Sequence, residues 1–273
     1  MDLPRNRFKH ALLEGRHQLG LWCSLSHHYS LEVVAGAAFD WLLLDMEHSP
    51  NDLESLLPQL QAVAGYAPSA VVRVPWNDTV AIKRVLDVGA QTLLIPYVQN
   101  VEEARAAVAA TRYPPEGVRG MAGATRASRF GTMPDYLRQA NKGIAVIVQL
   151  ETPAALAQLE AIAAVPGVDA LFVGPADLSA SMGHVGHFTH PSVMALMTDA
   201  ARRAKALGMP IGTLGSSAEA ATRYRAMGYD FMAVGTDLGL LMQGAQSAIH
   251  ALRSADDDAG HVHTLSEGTR TSG

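Results

Sequence analysis

Short runs of apolar residues alternate along the chain with longer segments in which apolar residues recur at a helical spacing. The apolar runs have the length of strands, and they predict eight of them: Leu19–Leu25, Trp41–Leu44, Ala70–Val74, Thr92–Tyr97, Ile144–Leu150, Ala170–Val173, Pro210–Leu214 and Phe231–Gly235. The longer segments predict helices at Asp52–Val63, Asp78–Val88, Val101–Thr111, Pro153–Ala163, Pro191–Leu207, Ser217–Met227 and Leu238–Leu252. This alternation indicates consecutive βα units.

The predicted strands are apolar at nearly every position, which indicates strands buried on both faces, as parallel strands covered by helices are. Eight such units predict an α/β fold, the (β/α)8 TIM barrel, and Pro4–Glu14 predicts an extra N-terminal helix. The doubly wound alternative is weaker because no strand is followed by G-x-G-x-x-G and no G-x-x-x-x-G-K-[ST] occurs. We expect one barrel domain over 1–253, followed by a disordered tail, 254–273, that is rich in Asp, Ser, Thr and Gly.

Composition and charge narrow the classes of partner. The 273 residues carry a formal charge of -5, and no stretch approaches the roughly 18 to 20 consecutive apolar residues of a membrane span. The N-terminus has no apolar signal segment, so we expect a cytoplasmic protein that does not enter a membrane. The chain has no Lys/Arg cluster for binding nucleic acid, and its single cysteine, Cys23, cannot form an internal disulfide. A small molecule is therefore the expected partner.

Polar residues stand at the ends of four predicted strands, where barrels of this type carry their reactive groups. They are Asp45-Met46-Glu47-His48 after the second strand, Arg73 in the third, Glu151 after the fifth and Gly174-Pro175-Ala176-Asp177 after the sixth. Either acid alone, Glu151 or Asp177, is as readily explained as a cap of the next helix. Two acids on adjacent strands that face a His and an Arg are harder to explain in that way.

A cation would resolve the repulsion between these two acids, because neighbouring strands lie only about 5 Å apart. Two carboxylates, together with water and a chelating substrate, suit a hard divalent ion such as Mg²⁺ or Mn²⁺, whereas zinc sites more often recruit several His or Cys. A Schiff-base mechanism would need a lysine at the barrel mouth. No lysine stands at the C-terminal end of a predicted strand: the four are Lys9, Lys83, Lys142 and Lys205.

Other signals leave rival interpretations open. The segments Gly212–Gly215 and Gly235–Gly239 follow the last two strands, where many barrels bind phosphate, and they favour a phosphate-binding barrel isomerase as the main rival. A non-catalytic barrel that binds an oxo acid is the third hypothesis. Several histidines are weaker candidates, His27 and His28 as substrate contacts, and His184, His187 and His190 as metal ligands in a segment that glycines make irregular.

Four segments together resemble one enzyme family. They are Phe39-Asp-Trp-Leu-Leu-Leu-Asp-Met-Glu-His48, Thr111-Arg-Tyr-Pro-Pro-Glu-Gly-Val-Arg-Gly120, Val148-Gln-Leu-Glu-Thr152 and Phe172-Val-Gly-Pro-Ala-Asp-Leu-Ser179. In order and spacing they resemble the metal-dependent (class II) pyruvate aldolases typified by 4-hydroxy-2-oxoheptanedioate aldolase and 2-dehydro-3-deoxyglucarate aldolase. The resemblance runs from about Asn6 to about Leu252, and the unusual Ser26-His27-His28-Tyr29 bears on the identity of the substrate.

The resemblance implies specific roles at the barrel mouth. Glu151 and Asp177 match the acids that bind a divalent metal, Mg²⁺, Mn²⁺ or Co²⁺, which also holds the carboxylate and ketone of pyruvate. Arg73 matches the arginine beside the pyruvate oxygens, and His48 matches the catalytic histidine. The substrate-binding set that the resemblance implies is Arg73, Gln149, Gly174, Pro175, Ala176 and Asp177.

Two further acids receive roles from the resemblance. Asp45 would orient metal-bound water. Asp87 matches an acid that assists His48, although Leu86-Asp87-Val88-Gly89 reads as the end of a helix. Its role therefore rests on the resemblance alone, and a contact across a subunit boundary could explain it.

The resemblance also implies the reaction, a reversible carbon–carbon lyase step that cleaves a 4-hydroxy-2-oxo acid to pyruvate and an aldehyde. A 2-dehydro-3-deoxy sugar acid is the alternative substrate within the same family. His48 would take the proton from the C4 hydroxyl. The resemblance also implies a hexamer built from trimers that exchange the C-terminal helix, here Leu238–Leu252. A dicarboxylate substrate would need a further cation, for which the sequence offers Arg119, Arg126 and Arg129.

Overall fold

The computed structural model describes residues 5–267, with side chains described as far as residue 253. The strands are β1 (Gln18–Cys23), β2 (Trp41–Asp45), β3 (Ser69–Arg73), β4 (Thr92–Ile95), β5 (Ala145–Leu150), β6 (Ala170–Val173), β7 (Ile211–Leu214) and β8 (Phe231–Thr236). The helices are α1 (Arg7–Leu13), α2 (His28–Ala35), α3 (Leu53–Val63), α4 (Thr79–Asp87), α5 (Val101–Thr111), α6 (Tyr136–Gly143), α7 (Pro153–Ala157), α8 (Leu159–Ala163), α9 (Pro175–Ser181), α10 (Pro191–Ala206), α11 (Ala218–Met227) and α12 (Asp237–Glu267).

The eight strands form a closed barrel in chain order, and each pairs in parallel with the next. β8 closes the ring by pairing with β1. All eight predicted strands are present, so the (β/α)8 prediction is confirmed. The carboxyl ends of all strands therefore meet at one opening, which we call the barrel mouth.

The interior of the barrel follows from the two-residue period of its strands. Trp41 and Leu43 of β2 belong to the same buried cluster as Phe172 of β6 and face the barrel axis. Leu42 and Leu44 alternate with these two residues along β2. They belong to a second buried cluster, in which the outer faces of the strands pack against the surrounding helices. A strand that is apolar throughout thus serves two cores at once.

The N-terminal helix α1 packs against the opening opposite the mouth. Its Phe8 is fully buried and contacts Trp41 and Phe231, with ring centroids 6.0 and 5.4 Å apart. Those two residues begin β2 and β8, so the three rings fill the N-terminal end of the barrel. The predicted extra helix is confirmed, with its start capped by the side chain of Asn6.

Several helices differ from expectation. The segment predicted as one helix, Pro153–Ala163, is two short helices that meet at Gln158, where φ is -101° and ψ is 12°. α2, α6 and α9 were absent from the predicted set. α2 buries only Leu31 and Ala35, and α6 buries only Tyr136 and Ala140, so each offers few apolar residues from which a helix could be predicted.

Contacts group the chain into two units, Met1–Thr236 and Asp237–Gly273. The first contains all eight strands, and the second contains α12, which continues to Glu267. The predicted single domain over 1–253 and disordered tail over 254–273 stay predictions, and 268–273 lie outside the described residues. Among the described residues, no helix is long and apolar enough to cross a membrane.

Candidate active site at the barrel mouth

Alternate residues of each strand face the barrel interior. Most of these inward residues are apolar, but the last ones before the mouth are polar. Two residues after the inward Leu43 comes Asp45, and two residues after Val71 comes Arg73. The register pairs Asp45 directly with Arg73. Continuation of the same period places the polar side chains at the mouth, in the interior of the barrel.

Arg73 and Asp45 form a buried, bidentate ion pair. Arg73 Nε donates to Asp45 Oδ1 at 2.8 Å, and Nη2 donates to Oδ2 at 2.6 Å. Burial alone would raise the pKa of Asp45. The hydrogen bonds and charge of Arg73 outweigh burial, and the backbone N–H of Glu47 and the indole N–H of Trp22 add to their effect. The pKa of Asp45 therefore lies below its ordinary value. Asp45 is therefore an anion that holds Arg73 in place.

Glu47 is a third charged group on this pair. Its Oε2 lies 2.7 Å from Arg73 Nη1. The two atoms form an ion pair, but their geometry does not meet that of a hydrogen bond. Burial raises the pKa of Glu47, and Arg73 opposes that rise. His48 follows in the same loop with its side chain 66% exposed and its Nε2 4.0 Å from Glu47 Oε2.

The loop that presents Glu47 and His48 is held by hydrogen bonds to Asp45. Asp45 Oδ1 accepts from the backbone N–H of Glu47 at 3.0 Å. The Asp45 carbonyl accepts from Asn51 Nδ2 at 2.6 Å and from the hydroxyl of Ser49. Asp45 thus orders the loop through its carboxylate and its backbone carbonyl, and the same carboxylate holds the guanidinium.

Glu151 is buried just beyond β5 and accepts a hydrogen bond from Gln149 Nε2. Burial, and then the charges of Asp177 and Glu47, raise the pKa of Glu151 to about 8. A Cβ at Gly174 would overlap Glu151 Oε1, so a side chain there would force the Glu151 carboxylate to move. Beside this carboxylate, the Oε1 atom of Gln149 is buried and has no hydrogen-bond partner among the residues that the structure describes.

The interpretation of these acids as helix caps does not hold for Glu151. The cap of α7 is Thr152, whose side chain accepts from the backbone N–H of Ala155 at 3.1 Å. Asp177 lies in the first turn of α9, after Pro175, and makes no side-chain cap. Both carboxylates thus remain available at the mouth.

The mouth carries more negative than positive charge. Asp45, Glu47, Glu151 and Asp177 are four acids, and Arg73 forms ion pairs with only the first two. In the described part of the chain, Glu151 and Asp177 form no salt bridge, and no group of three or more His, Cys, Asp or Glu side chains is placed to hold a metal. A divalent ion here would rely on two carboxylates, with its other ligands from water or substrate.

Asp87 and the three candidate arginines are not at the mouth of this chain. Asp87 ends α4, which returns the chain to the opposite end of the barrel, and it pairs with Arg119 at 2.7 Å. Arg119 is fully buried and its guanidinium lies 4.4 Å from the ring of Tyr113. The other two line a cavity of about 830 Å³ among the N-terminal ends of β3, β4 and β5; they are Arg126 and Arg129.

The weaker histidine candidates have structural contacts. His27 caps α2, with Nδ1 accepting from the backbone N–H of Tyr29 at 3.2 Å. His184 and His190 stack with ring centroids 3.5 Å apart, and both contact the Ser192 hydroxyl.

The glycines expected to bind phosphate are also explained by packing. A side chain at Gly212 would overlap the ring of Phe231. The backbone N–H of Gly215 already donates to the Ala233 carbonyl at 2.8 Å. These two contacts weigh against the phosphate-binding interpretation of the seventh strand.

Sequence reasoning assigned no role to Glu47, although it stands between two assigned residues. The signal was present, because an acid two residues after an inward strand end and beside His48 is at the same mouth. Its contact with Arg73 Nη1 depends on the course of the loop, which the strand period does not specify.

Comparisons with known proteins agree with this geometry. The family described as HpcH/HpaI aldolase/citrate lyase matches residues 18–244. The chain is 55% identical to a pyruvate aldolase of Rhizobium etli over 247 residues, which is 90% of this chain and 97% of the relative. It is 53% identical to a 4-hydroxy-2-oxo-heptane-1,7-dioate aldolase of Salmonella dublin, covering 89% of this chain and 93% of the relative.

A solved structure has a similar fold over nearly the whole barrel. It is an HpcH/HpaI aldolase/citrate lyase family protein from Burkholderia cenocepacia J2315, 41% identical, with a TM-score of 0.89. The likeness covers 91% of this chain and 99% of that one.

Proposed function

Because the chain belongs to the HpcH/HpaI aldolase/citrate lyase family, we propose that it catalyses the divalent-metal-dependent, reversible cleavage of a 4-hydroxy-2-oxo acid to pyruvate and an aldehyde. The relatives named above support the aldolase class, and the product pyruvate is in the name of one of them. The observation that carries the proposal is the pair Glu151 and Asp177, two carboxylates at the mouth that no described cation neutralises.

The side chains present fit a hard divalent ion. Burial, and then the charges of Asp177 and Glu47, raise the pKa of Glu151 to about 8, so its anionic form is unfavourable there without a cation. The Oε1 atom of Gln149, which is buried without a hydrogen-bond partner among the described residues, also fits a further bound group. We propose Glu151 and Asp177 as the metal ligands, with Gln149 and the segment Gly174–Asp177 beside the substrate. A cation bound there supplies positive charge for the oxyanion that develops as the C3–C4 bond breaks.

Arg73 would bind the carboxylate or developing oxyanion of the pyruvate portion. Asp45 occupies two of the five N–H donors of the guanidinium, and Glu47 lies against Nη1, which leaves donors for an incoming anion. Because Asp45 and Glu47 hold the group in advance, it does not have to reorganise as charge develops.

His48 would take the proton from the C4 hydroxyl as the aldehyde forms. Its exposed position at the mouth leaves the imidazole accessible to a substrate, and an imidazole suits proton transfer near neutral pH. The proposed role of Asp87 beside His48 cannot be filled within one chain, since Asp87 lies at the other end of the barrel. It requires a second copy of the chain.

The experiment is a cleavage assay with 4-hydroxy-2-oxoheptanedioate and a 2-dehydro-3-deoxy sugar acid, with released pyruvate measured by its reduction with NADH. We expect cleavage of at least one of them with Mg²⁺, Mn²⁺ or Co²⁺, and loss of that activity with a chelator that added metal reverses. Turnover that is unaffected by chelator would refute the proposal.

The finer expectations belong to the same proposal. We propose a homohexamer that exchanges Leu238–Leu252, acting in the cytoplasm on small molecules. Light scattering of the purified chain tests the assembly, and a monomer with full activity would rule it out as a requirement.

A further inference from the structure

Trp22 lies directly beneath the charged pair at the mouth. It faces the barrel interior from β1 and is buried among apolar residues. Its indole Nε1 donates to Asp45 Oδ2 at 3.2 Å, and the face of its ring lies 4.6 Å from Arg73 Cζ. One side chain therefore contacts both members of the ion pair, through its edge and through its face.

These two contacts restrict a motion that the ion pair alone would allow, the tilting of the paired carboxylate and guanidinium. The bidentate hydrogen bonds keep the Arg73 guanidinium in the plane of the Asp45 carboxylate. They do not prevent the carboxylate and the guanidinium from tilting together relative to the strands. The ring lies against one face of the guanidinium, and the indole N–H holds the carboxylate from a second direction, so the tilt is fixed.

Trp22 is itself fixed from below. Its ring contacts Phe172 of β6 with centroids 5.8 Å apart, and Phe172 contacts Phe231 at 6.1 Å. The aromatic packing of the barrel interior thus continues upward to the guanidinium. The Arg73 guanidinium, which is proposed to contact substrate, is thus supported by the closely packed apolar core, which moves little.

Trp41 gives a comparison within the same barrel. It is also buried, one strand away, and its ring contacts Phe8 and Phe231. Its indole Nε1 is buried with no hydrogen-bond partner in the described part of the chain. Tryptophan thus donates to a carboxylate at the mouth, whereas at the closed end its N–H meets no acceptor among the described residues.

We propose that Trp22 is a positioning residue for the aldol reaction, acting through Arg73 and Asp45 by its ring face and its indole N–H. The inference rests on the proposed function only in taking Arg73 as the group that meets the oxo acid. A displacement of such a group by about 1 Å can cost a factor of about 100 in rate. Trp22 would therefore affect turnover and substrate affinity much more than metal affinity.

The test compares Trp22→Phe with Trp41→Phe, the same substitution at the two sites. Trp22→Phe keeps a ring for Arg73 and removes the donor to Asp45, and we expect kcat/KM to fall about tenfold, with a raised KM for the oxo acid. The Mn²⁺ affinity is expected to stay within twofold of wild type. Trp41→Phe removes an indole N–H that has no hydrogen-bond partner among the described residues, and its folded fraction is expected to keep wild-type kcat/KM.

A second variant separates the ring face from the N–H group. Trp22→Leu removes both, and we expect kcat/KM to fall about a further tenfold below that of Trp22→Phe. If Trp22→Leu does not fold, the Phe pair alone decides. Wild-type kcat/KM in Trp22→Phe, or equal losses in the two Phe variants, would overturn the proposal.

Binding distinguishes failure of this inference from failure of the proposed function. Pyruvate with Mg²⁺ is titrated into wild type and into the Trp22→Phe and Trp41→Phe variants, with tryptophan emission as the readout. We expect the emission change to be lost in Trp22→Phe and retained in Trp41→Phe, along with an approximately tenfold weaker pyruvate affinity in Trp22→Phe. If wild type binds pyruvate but cleaves no substrate, the function is wrong and this titration still tests Trp22. An unchanged affinity and emission response in Trp22→Phe would overturn the positioning role.

Discussion

The two ends of the barrel interior are built from the same strands yet differ in chemistry. At the closed end, Phe8, Trp41 and Phe231 pack edge to face and leave no charge. At the mouth, Asp45 and Arg73 take the corresponding inward positions and form an ion pair. The packing of the aromatic rings does not depend on pH or on a bound ion. The mouth has an excess of acids, and a bound cation would relieve the repulsion between them. The closed end should therefore determine stability, and the mouth should determine activity.

The acids at the mouth should show the largest effect. Glu151→Gln and Asp177→Asn each remove a proposed ligand, and we expect kcat/KM to fall about 1,000-fold or more, with Mn²⁺ affinity weakened at least tenfold. Calorimetric titration with Mn²⁺ and a pyruvate-release assay measure the two effects. Glu102→Gln, at an exposed position in α5, is the matched control and should change neither. Wild-type metal affinity in both variants would remove these acids from the ligand set.

Arg73→Lys should have the next largest effect. A lysine keeps the positive charge but cannot reproduce the bidentate contact with Asp45 together with the contact to Glu47. We expect kcat/KM to fall about 100-fold, partly through a raised KM for the oxo acid. The control is Arg203→Lys, since Arg203 pairs with Glu160 on the outer helices. A variant with wild-type steady-state constants would show that substrate does not contact Arg73.

His48→Ala should lower kcat about 100-fold while metal affinity stays within twofold, because the imidazole is proposed to move a proton and not to bind the metal. Parallel measurements of turnover and Mn²⁺ binding separate these roles. His17→Ala, also exposed and far along the chain from the mouth loop, serves as the control. Equal metal affinity in His48→Ala, Glu151→Gln and Asp177→Asn would contradict the division of roles.

Phe8→Ala should affect the opposite end and leave the chemistry alone. Removal of a fully buried ring that contacts Trp41 and Phe231 should lower the free energy of unfolding by about 3–5 kcal/mol. The folded fraction should keep the wild-type kcat/KM. Denaturant unfolding and steady-state kinetics at low temperature measure both quantities. The exposed Phe188 provides Phe188→Ala as the control for stability. A loss of kcat/KM in folded Phe8→Ala would remove the contrast between the two ends.

A pH dependence of stability should separate the ends more finely. The pKa of Glu151 is raised to about 8, so the carboxyl stabilises the metal-free fold most when protonated, below its unfolded-state pKa near 4.5. That contribution is lost as pH rises towards 8, by at most about 1.4 kcal/mol per pH unit. Wild type should therefore lose stability relative to Glu151→Gln between about pH 5 and 8 in the presence of a chelator. Added Mn²⁺ should reverse the trend, and parallel unfolding curves would contradict it.

The sequence predicts the barrel well because its signals are local. Each strand is a short apolar run, and the same period that buries Leu43 and Val71 brings Asp45 and Arg73 to the mouth. The break at Gln158 escaped prediction because both short helices on either side bury apolar residues, so the pattern has no gap.

The site is predicted less completely, since its side chains meet through tertiary contacts. Glu47 contacts Arg73 only because the loop after β2 turns on the Asp45 carboxylate. Asp87 received its role by resemblance, and its position at the end of α4 shows that one chain alone does not bring it to His48. Strand ends are visible in a sequence, whereas loop courses and subunit contacts are not.

The most direct test follows the methyl protons of pyruvate by proton NMR in D₂O with the enzyme, at low Mn²⁺ loading and with Mg²⁺, before and after a chelator. We expect the methyl signal to decay with either metal, the decay to stop with the chelator, and Glu151→Gln to show no decay. Decay that continues unchanged after chelation, or no decay with any divalent metal, would contradict metal-assisted enolisation at the mouth.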